Sequence, residues 1–124
     1  MKPETGRWLR KADGHLKMAR IAIEAGYSEH GVFWCEQALE VLLKALQVES
    51  RSSSRPRRTH DLVDLAKDSS LPFSEDDLGF LRRLGEQYTL TRYADEDVDY
   101  PQERAVEYLQ KAEVLFSWLR QGLS

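Results

Sequence analysis

Residues 32–48, VFWCEQALEVLLKALQV, place five polar side chains in an otherwise apolar stretch, and these are the first candidates for chemistry. Projected at the helical period, Trp34, Cys35, Ala38, Leu39, Val41, Leu42, Leu43, Ala45, Leu46 and Val48 cover about 220° of the circumference, so this helix is packed on several sides. Glu36, Gln37, Glu40, Lys44 and Gln47, with Phe33 among them, fill the remaining strip. A helix so enclosed is expected to expose polar groups only where water, a partner or a ligand meets them. Glu40 and Lys44 stand at i, i+4 in the order that forms an ordinary helix ion pair, which contributes a few tenths of a kcal/mol when exposed. A second arrangement draws in Arg92, which projects onto the inner face of a later helix. A buried charge without a partner costs on the order of several kcal/mol, so Arg92 requires a carboxylate, a ligand or water. If it reaches the strip, Gln37, Glu40, Lys44, His60 and Arg92, with Tyr93 beside it, line a polar cleft. Two cations with amide and imidazole groups suit a phosphate or a nucleotide. Pairing of Arg92 with Glu40 or Asp95 is the purely structural alternative.

A second candidate is the stretch ESRSSSRPRRTH, which carries Arg51, Arg55, Arg57 and Arg58 with only Glu49 nearby. Such a loop could contact an RNA backbone in a salt-dependent manner, with Arg51, Arg57 and Arg58 as the contact residues. It could equally pair with the acidic segment ADEDVDYP or remain solvated. It lacks the interleaved aromatic residues of a single-strand stacking platform, so a solvated loop is the default. His15, His30 and His60 show no ligand spacing, and neither a metal nor a cofactor is expected. Cys35, the only cysteine, reads as a small core residue.

The elements that would position these groups are helical throughout. A first helix is expected over about residues 5–25, with Trp8, Leu9, Ala12, Leu16, Ala19 and Ile23 on one face. His15 falls at its edge, a place for a partly buried histidine with a backbone or carboxylate partner. Gly26 suits the left-handed position that ends a helix, and Ser28 suits the cap of the next. The connection is short, which predicts antiparallel neighbours. A short third helix starts at Thr59 or His60, with Asp61 in its first turn and Leu62, Val63 and Leu65 buried. Ser74 caps a fourth, whose first turn holds Glu75, Asp76 and Asp77 and whose inner face is Leu81, Leu84 and Tyr88, flanked by Phe80. Pro101 suits the first turn of a last helix that buries Ala105, Tyr108, Leu109, Ala112, Leu115, Phe116 and Leu119. Val114 and Trp118 lie one turn apart on its opposite side, as a partner surface or under cover from the N-terminal arm.

The fold class is therefore all-α: an antiparallel up-and-down bundle of four main helices plus one short helix, in a single domain over residues 1–124. At 41% hydrophobic and 31% charged residues, the composition is that of a globular domain. No apolar run approaches the roughly 20 residues that span a bilayer, and the N-terminus lacks a signal-peptide stretch, so a cytoplasmic protein is expected. The net charge of -3 argues against an overall nucleic-acid footprint.

The chain resembles the HEPN domains (higher eukaryotes and prokaryotes nucleotide-binding), in their small stand-alone prokaryotic form. The resemblance rests on Gln37-Ala38-x-Glu40-x-x-Leu43-Lys44-Ala45, then Thr59-His60-Asp61-Leu62-x-x-Leu65, then Arg92-Tyr93 with Asp95 nearby. Ala12-Asp13 with Ala19, and Gly26-Tyr27, also fit, so nearly the whole chain is covered. It implies an antiparallel helical bundle, usually a homodimer, often produced beside a minimal nucleotidyltransferase. Toxin-like members cut RNA without a metal through an Arg-x(4 to 6)-His motif facing its copy across the dimer; others bind nucleotides or assist the transferase without it. Arg55-Pro56-Arg57-Arg58-Thr59-His60 has the motif's spacing, with His60 as acid or base and Arg55 or Arg58 on the scissile phosphate. Pro56 departs from the polar residue common after that Arg, and an arginine-rich loop meets such a spacing by chance. The favoured expectation is a nucleotide-binding or interaction partner of a nucleotidyltransferase without catalysis of its own. The alternatives are a metal-independent endoribonuclease toxin using Arg55 and His60, and a non-catalytic dimerisation module.

Overall fold

The computed structural model describes residues 1–51, 56–91 and 100–123. Its helices are α1 (Pro3–Glu24), α2 (Ser28–Ser50), α3 (Leu62–Asp68), α4 (Glu75–Thr91) and α5 (Gln102–Arg120), followed by a 3-10 turn over Gln121–Leu123. The described residues contain no strand. Arg55, Arg92, Tyr93 and Asp95 lie outside them.

α2 is the hub, and α1, α3, α4 and α5 all pack on it. Most of its apolar face is enclosed, with Val32, Cys35, Ala38, Leu39, Leu42, Leu43, Ala45 and Val48 at 0% exposure and Trp34 and Leu46 half-buried. Burial raises the Cys35 thiol to about 12, with a smaller contribution from Glu113, so this cysteine is an inert core residue. The polar strip does not stay open. Glu36, Glu40, Lys44 and Gln47 are buried along with the apolar face, and only Gln37 is half-buried. The expectation of an exposed strip fails: neighbouring side chains supply hydrogen bonds to the strip in place of water, Glu36 Oε1 excepted.

The pairs along the helices set the directions. Lys2 N–H and Thr5 Oγ1 both donate to Glu49 Oε1, tying the start of α1 to the end of α2. Arg20 bonds Glu113, and Arg120 bonds Asp13, so α5 runs antiparallel to α1. Phe33 near the start of α2 stacks on Tyr88 near the end of α4, making those two antiparallel as well. The result is the up-and-down bundle with one short extra helix.

Gly26, at φ 87°, ends α1 in the left-handed conformation. Tyr27 N–H then donates to Ala22 O and Gly26 N–H to Ile23 O, the paired bonds of a Schellman termination. Ser28 does not cap α2. It is the first helical residue, and its Oγ donates to Gln102 Oε1 at 2.6 Å while Gln102 Nε2 donates to Ile23 O. A cross-bundle partner thus displaces the local capping role. Gly31 lets α1 and α2 pack closely: a Cβ there would meet Ile23 Cγ1, would sit 2.7 Å from Ile23 Cδ1, and would be 3.3 Å from Ala19 O.

Asp61 is the N-cap of α3, accepting from Asp64 N–H at 3.1 Å, so the helix begins after His60 instead of at it. Ser74 caps α4 through Asp77 N–H at 3.0 Å. Trp118 is half-buried, and Phe73 in the α3–α4 connection packs on it edge-on at 5.1 Å. Val114 remains 74% exposed.

Candidate functional site

The i, i+4 spacing on α2 puts Glu36, Glu40 and Lys44 on one line, and the site grows from that line. Glu40 Oε2 accepts from Lys44 Nζ at 3.0 Å, and Glu40 Oε1 lies 2.8 Å from His60 Nδ1. A carboxylate can only accept, so Nδ1 carries the hydrogen, and Nε2 is left for whatever approaches from outside. The two ends of this contact differ sharply: the Glu40 side chain is 5% exposed and that of His60 is 58% exposed. The pair therefore links a buried carboxylate to a surface imidazole.

One turn earlier, Glu36 is fully buried. Gln37 Nε2 donates to its Oε2 at 2.8 Å, while Oε1 has no acceptable donor among the described residues. Burial, then the Glu40 charge, push the Glu36 carboxyl up to about 9, against smaller opposing pulls from Gln37 and Lys44. Hydrogen bonding with Glu40 acts in the same upward direction. Both effects disfavour the ionised form of Glu36 beside the paired Glu40 carboxylate.

Aromatic rings run across the same side of the bundle. His60 and Tyr88 have centroids 5.5 Å apart, Tyr88 stacks on Phe33 at 5.6 Å, Phe33 meets Trp34 edge-on at 5.1 Å, and Trp34 meets His15 at 4.9 Å. His15 thus has a ring neighbour where a backbone or carboxylate partner was expected. Burial and then the Lys11 charge lower its pKa, against a pull from Glu40. Outside His60 opens a cleft of about 470 Å³ between the start of α3 and α4, lined by His60, Asp61, Arg82, Gly85, Glu86 and Tyr88 among others.

Of the residues singled out from the sequence, Gln37, Glu40, Lys44 and His60 come together. Lys44 Nζ donates to Glu40 and Gln37 Nε2 donates to Glu36, so both are engaged within the strip. Arg55, Arg92 and Tyr93 fall outside the described residues. Arg51 and Arg57 fold back onto α3: Arg51 bonds Asp68 at 2.6 Å, and Arg57 bonds Asp64 at 2.7 Å, which raises the Arg57 pKa. Gln47 joins the cluster through Asp68 and through Arg57 N–H. Arg58 is exposed. Sequence reasoning left Glu36 and Tyr88 out of the site. The signal for Glu36 was present, since two acids at i, i+4 repel unless one is protonated.

Fold and site together define a helical-bundle domain whose central helix carries a buried acid pair and holds a surface histidine. The family model for the HEPN domain matches residues 5–122, and the chain belongs to that family. Among solved structures, TT1696 from Thermus thermophilus superposes with a TM-score of 0.80 at 24% identity, over 97% of this chain and 98% of its own. ST0689, an archaeal HEPN homologue, superposes with a TM-score of 0.75 at 26% identity over 100% of both chains. A comparison with curated protein sequences finds no match. No described helix is long and apolar enough to cross a membrane.

Proposed function

We propose that this domain binds a nucleotide and serves as the partner of a minimal nucleotidyltransferase, with the ligand received beside His60. The observation that carries the reading is the Glu40–His60 contact at 2.8 Å, which fixes a half-exposed imidazole next to Tyr88 at the mouth of a cleft. A cleft of this volume lies within the ordinary range of small-molecule sites. The exposed imidazole of His60 offers a face for stacking to a base. Lys44 is paired with Glu40, and we assign the phosphate contact to Arg92, with Tyr93, on the family resemblance. Gln37, Glu40 and Lys44 then form the wall behind the ligand instead of touching it. Calorimetry with adenosine triphosphate and other nucleotides on wild type, Arg92→Ala and His60→Ala tests this. Binding lost in both variants is expected, and heats equal to wild type would remove the cleft from consideration. For the partner, co-purification with a small nucleotidyltransferase encoded beside this chain is the corresponding measurement.

A second reading is favoured by the same contact. With Nδ1–H held by a buried carboxylate, Nε2 is oriented for proton transfer, which is the use a metal-independent endoribonuclease would make of His60. Arg55 or Arg58 would be its phosphate-binding partner in this reading. RNA cleavage in the presence of a chelator, abolished by His60→Ala, is the expected outcome; no cleavage by wild type at high concentration rejects it. Under either reading the chain forms a homodimer, as its family implies, and we place Val114 and Trp118 in that interface.

A further inference from the structure

We propose that Glu36 holds a proton which it donates to Glu40, and that this buried acid pair presents His60 Nε2 as a proton acceptor to a hydroxyl- or amide-bearing ligand in the cleft between α3 and α4. The argument begins with an orphan. Glu36 is at 0% exposure, and its Oε1 has no donor among the described residues, which is expensive for an ionised carboxylate. Glu40, one helical turn away, is an acceptor and cannot supply the missing hydrogen. A proton on Glu36 resolves both problems, because the orphan oxygen becomes a donor aimed at a carboxylate. Of the two acids, Glu36 is the one to carry it. Glu40 already faces the Lys44 ammonium at 3.0 Å and the His60 ring at 2.8 Å, whereas the donor bonded to Glu36 is the neutral Gln37 amide.

The consequence passes outward. Glu40 is held from both sides, by Lys44 on Oε2 and by the Glu36 acid, and therefore keeps one orientation toward His60. That orientation requires Nδ1–H, so the lone pair of the neutral ring sits on Nε2. The charged and titratable groups around the pair are Lys44 on α2, His15 with Lys11 behind it on α1, Tyr88 on α4, and His60 itself. None of these offers Glu36 the hydrogen it lacks at bonding distance. Arg82 and Glu86 lie farther out, along the cleft. A ligand hydroxyl or amide N–H would donate to Nε2, and no bond other than this hydrogen bond need form. Glu36 and Glu40 are thus positioning residues, and His60 is the group that meets the ligand.

The inference deepens the reading of the His60 cleft as the ligand site and rests on that reading for the ligand only. Protonation and tautomer are measured on the ligand-free protein, so they stand or fall apart from nucleotide binding. In carbon-13-labelled protein, the Glu36 carboxyl is expected to report the neutral acid at pH 7. Long-range nitrogen–proton spectra of the imidazole ring are expected to give a single Nδ1–H tautomer in wild type and in Glu36→Gln, whose amide can still donate to Glu40. Glu40→Leu is expected to give a tautomer mixture. An ionised Glu36 at pH 7, a tautomer mixture in wild type or Glu36→Gln, or an unchanged single tautomer in Glu40→Leu would each overturn the proposal.

Discussion

Replacing Glu36 with glutamine tests the proton assignment through stability alone. An isolated glutamate titrates at 4.5, whereas burial and the Glu40 charge hold Glu36 at about 9 in the folded chain. Between those values the folded protein binds a proton that the unfolded chain has released. Rising pH therefore favours unfolding by about 1.4 kcal/mol per pH unit for one proton. From about pH 5 to pH 8 this amounts to at most about 4 kcal/mol, present in full below the unfolded pKa and gone once pH passes the folded one. Glutamine has nearly the same shape, can donate to Glu40, and does not titrate, so the variant loses this slope and is more stable than wild type at neutral pH by up to about 3 kcal/mol. His15 contributes with the opposite sign, because its lowered pKa makes the folded state gain stability as pH rises toward 6.5. The difference between wild type and Glu36→Gln cancels that contribution. Urea unfolding at several pH values provides the curves, and parallel pH dependences for the two proteins would refute the reasoning.

Two further outcomes concern packing. Gly31→Ala places a methyl group against the buried Ile23 side chain and near Ala19 O; the overpacking cost of about 1–3 kcal/mol exceeds the gain in helix propensity of about 1 kcal/mol, so the melting temperature falls. A variant as stable as wild type would mean that α1 and α2 separate more easily than their spacing implies. Trp118→Asp is expected to shift the sedimentation mass toward the monomer, and an unchanged dimer mass would remove Val114 and Trp118 from the interface.

The helices were legible in the sequence because apolar spacing dictates which faces bury, and Leu81, Leu84, Leu109 and Leu115 fall where that spacing puts them. Gly26 was legible for a different reason, since only a left-handed residue ends a helix in that way. Ser28 and Asp61 were misjudged by a position or a role, because capping competes with partners distant in sequence such as Gln102. The polar strip was found, but its burial was not. Whether Glu36 faces water or protein depends on what packs over α2, and periodicity within one helix carries no record of that. The arginines behaved similarly: their charge was plain, but their engagement by Asp64 and Asp68 required knowing that the loop folds back along α3.

The clasp of Lys2 and Thr5 on Glu49, opposite the Gly26 turn, closes the α1–α2 hairpin at both ends. Its connection is short, so bringing these two helices together sacrifices little chain entropy, and their contacts are far more local than those between α1 and α5. We expect this hairpin to form early and the remaining helices to close over it later. Glu36 is fully buried in the finished bundle. The final assembly of the bundle then draws a proton from solvent, and its rate slows in alkaline solution while the hairpin's does not.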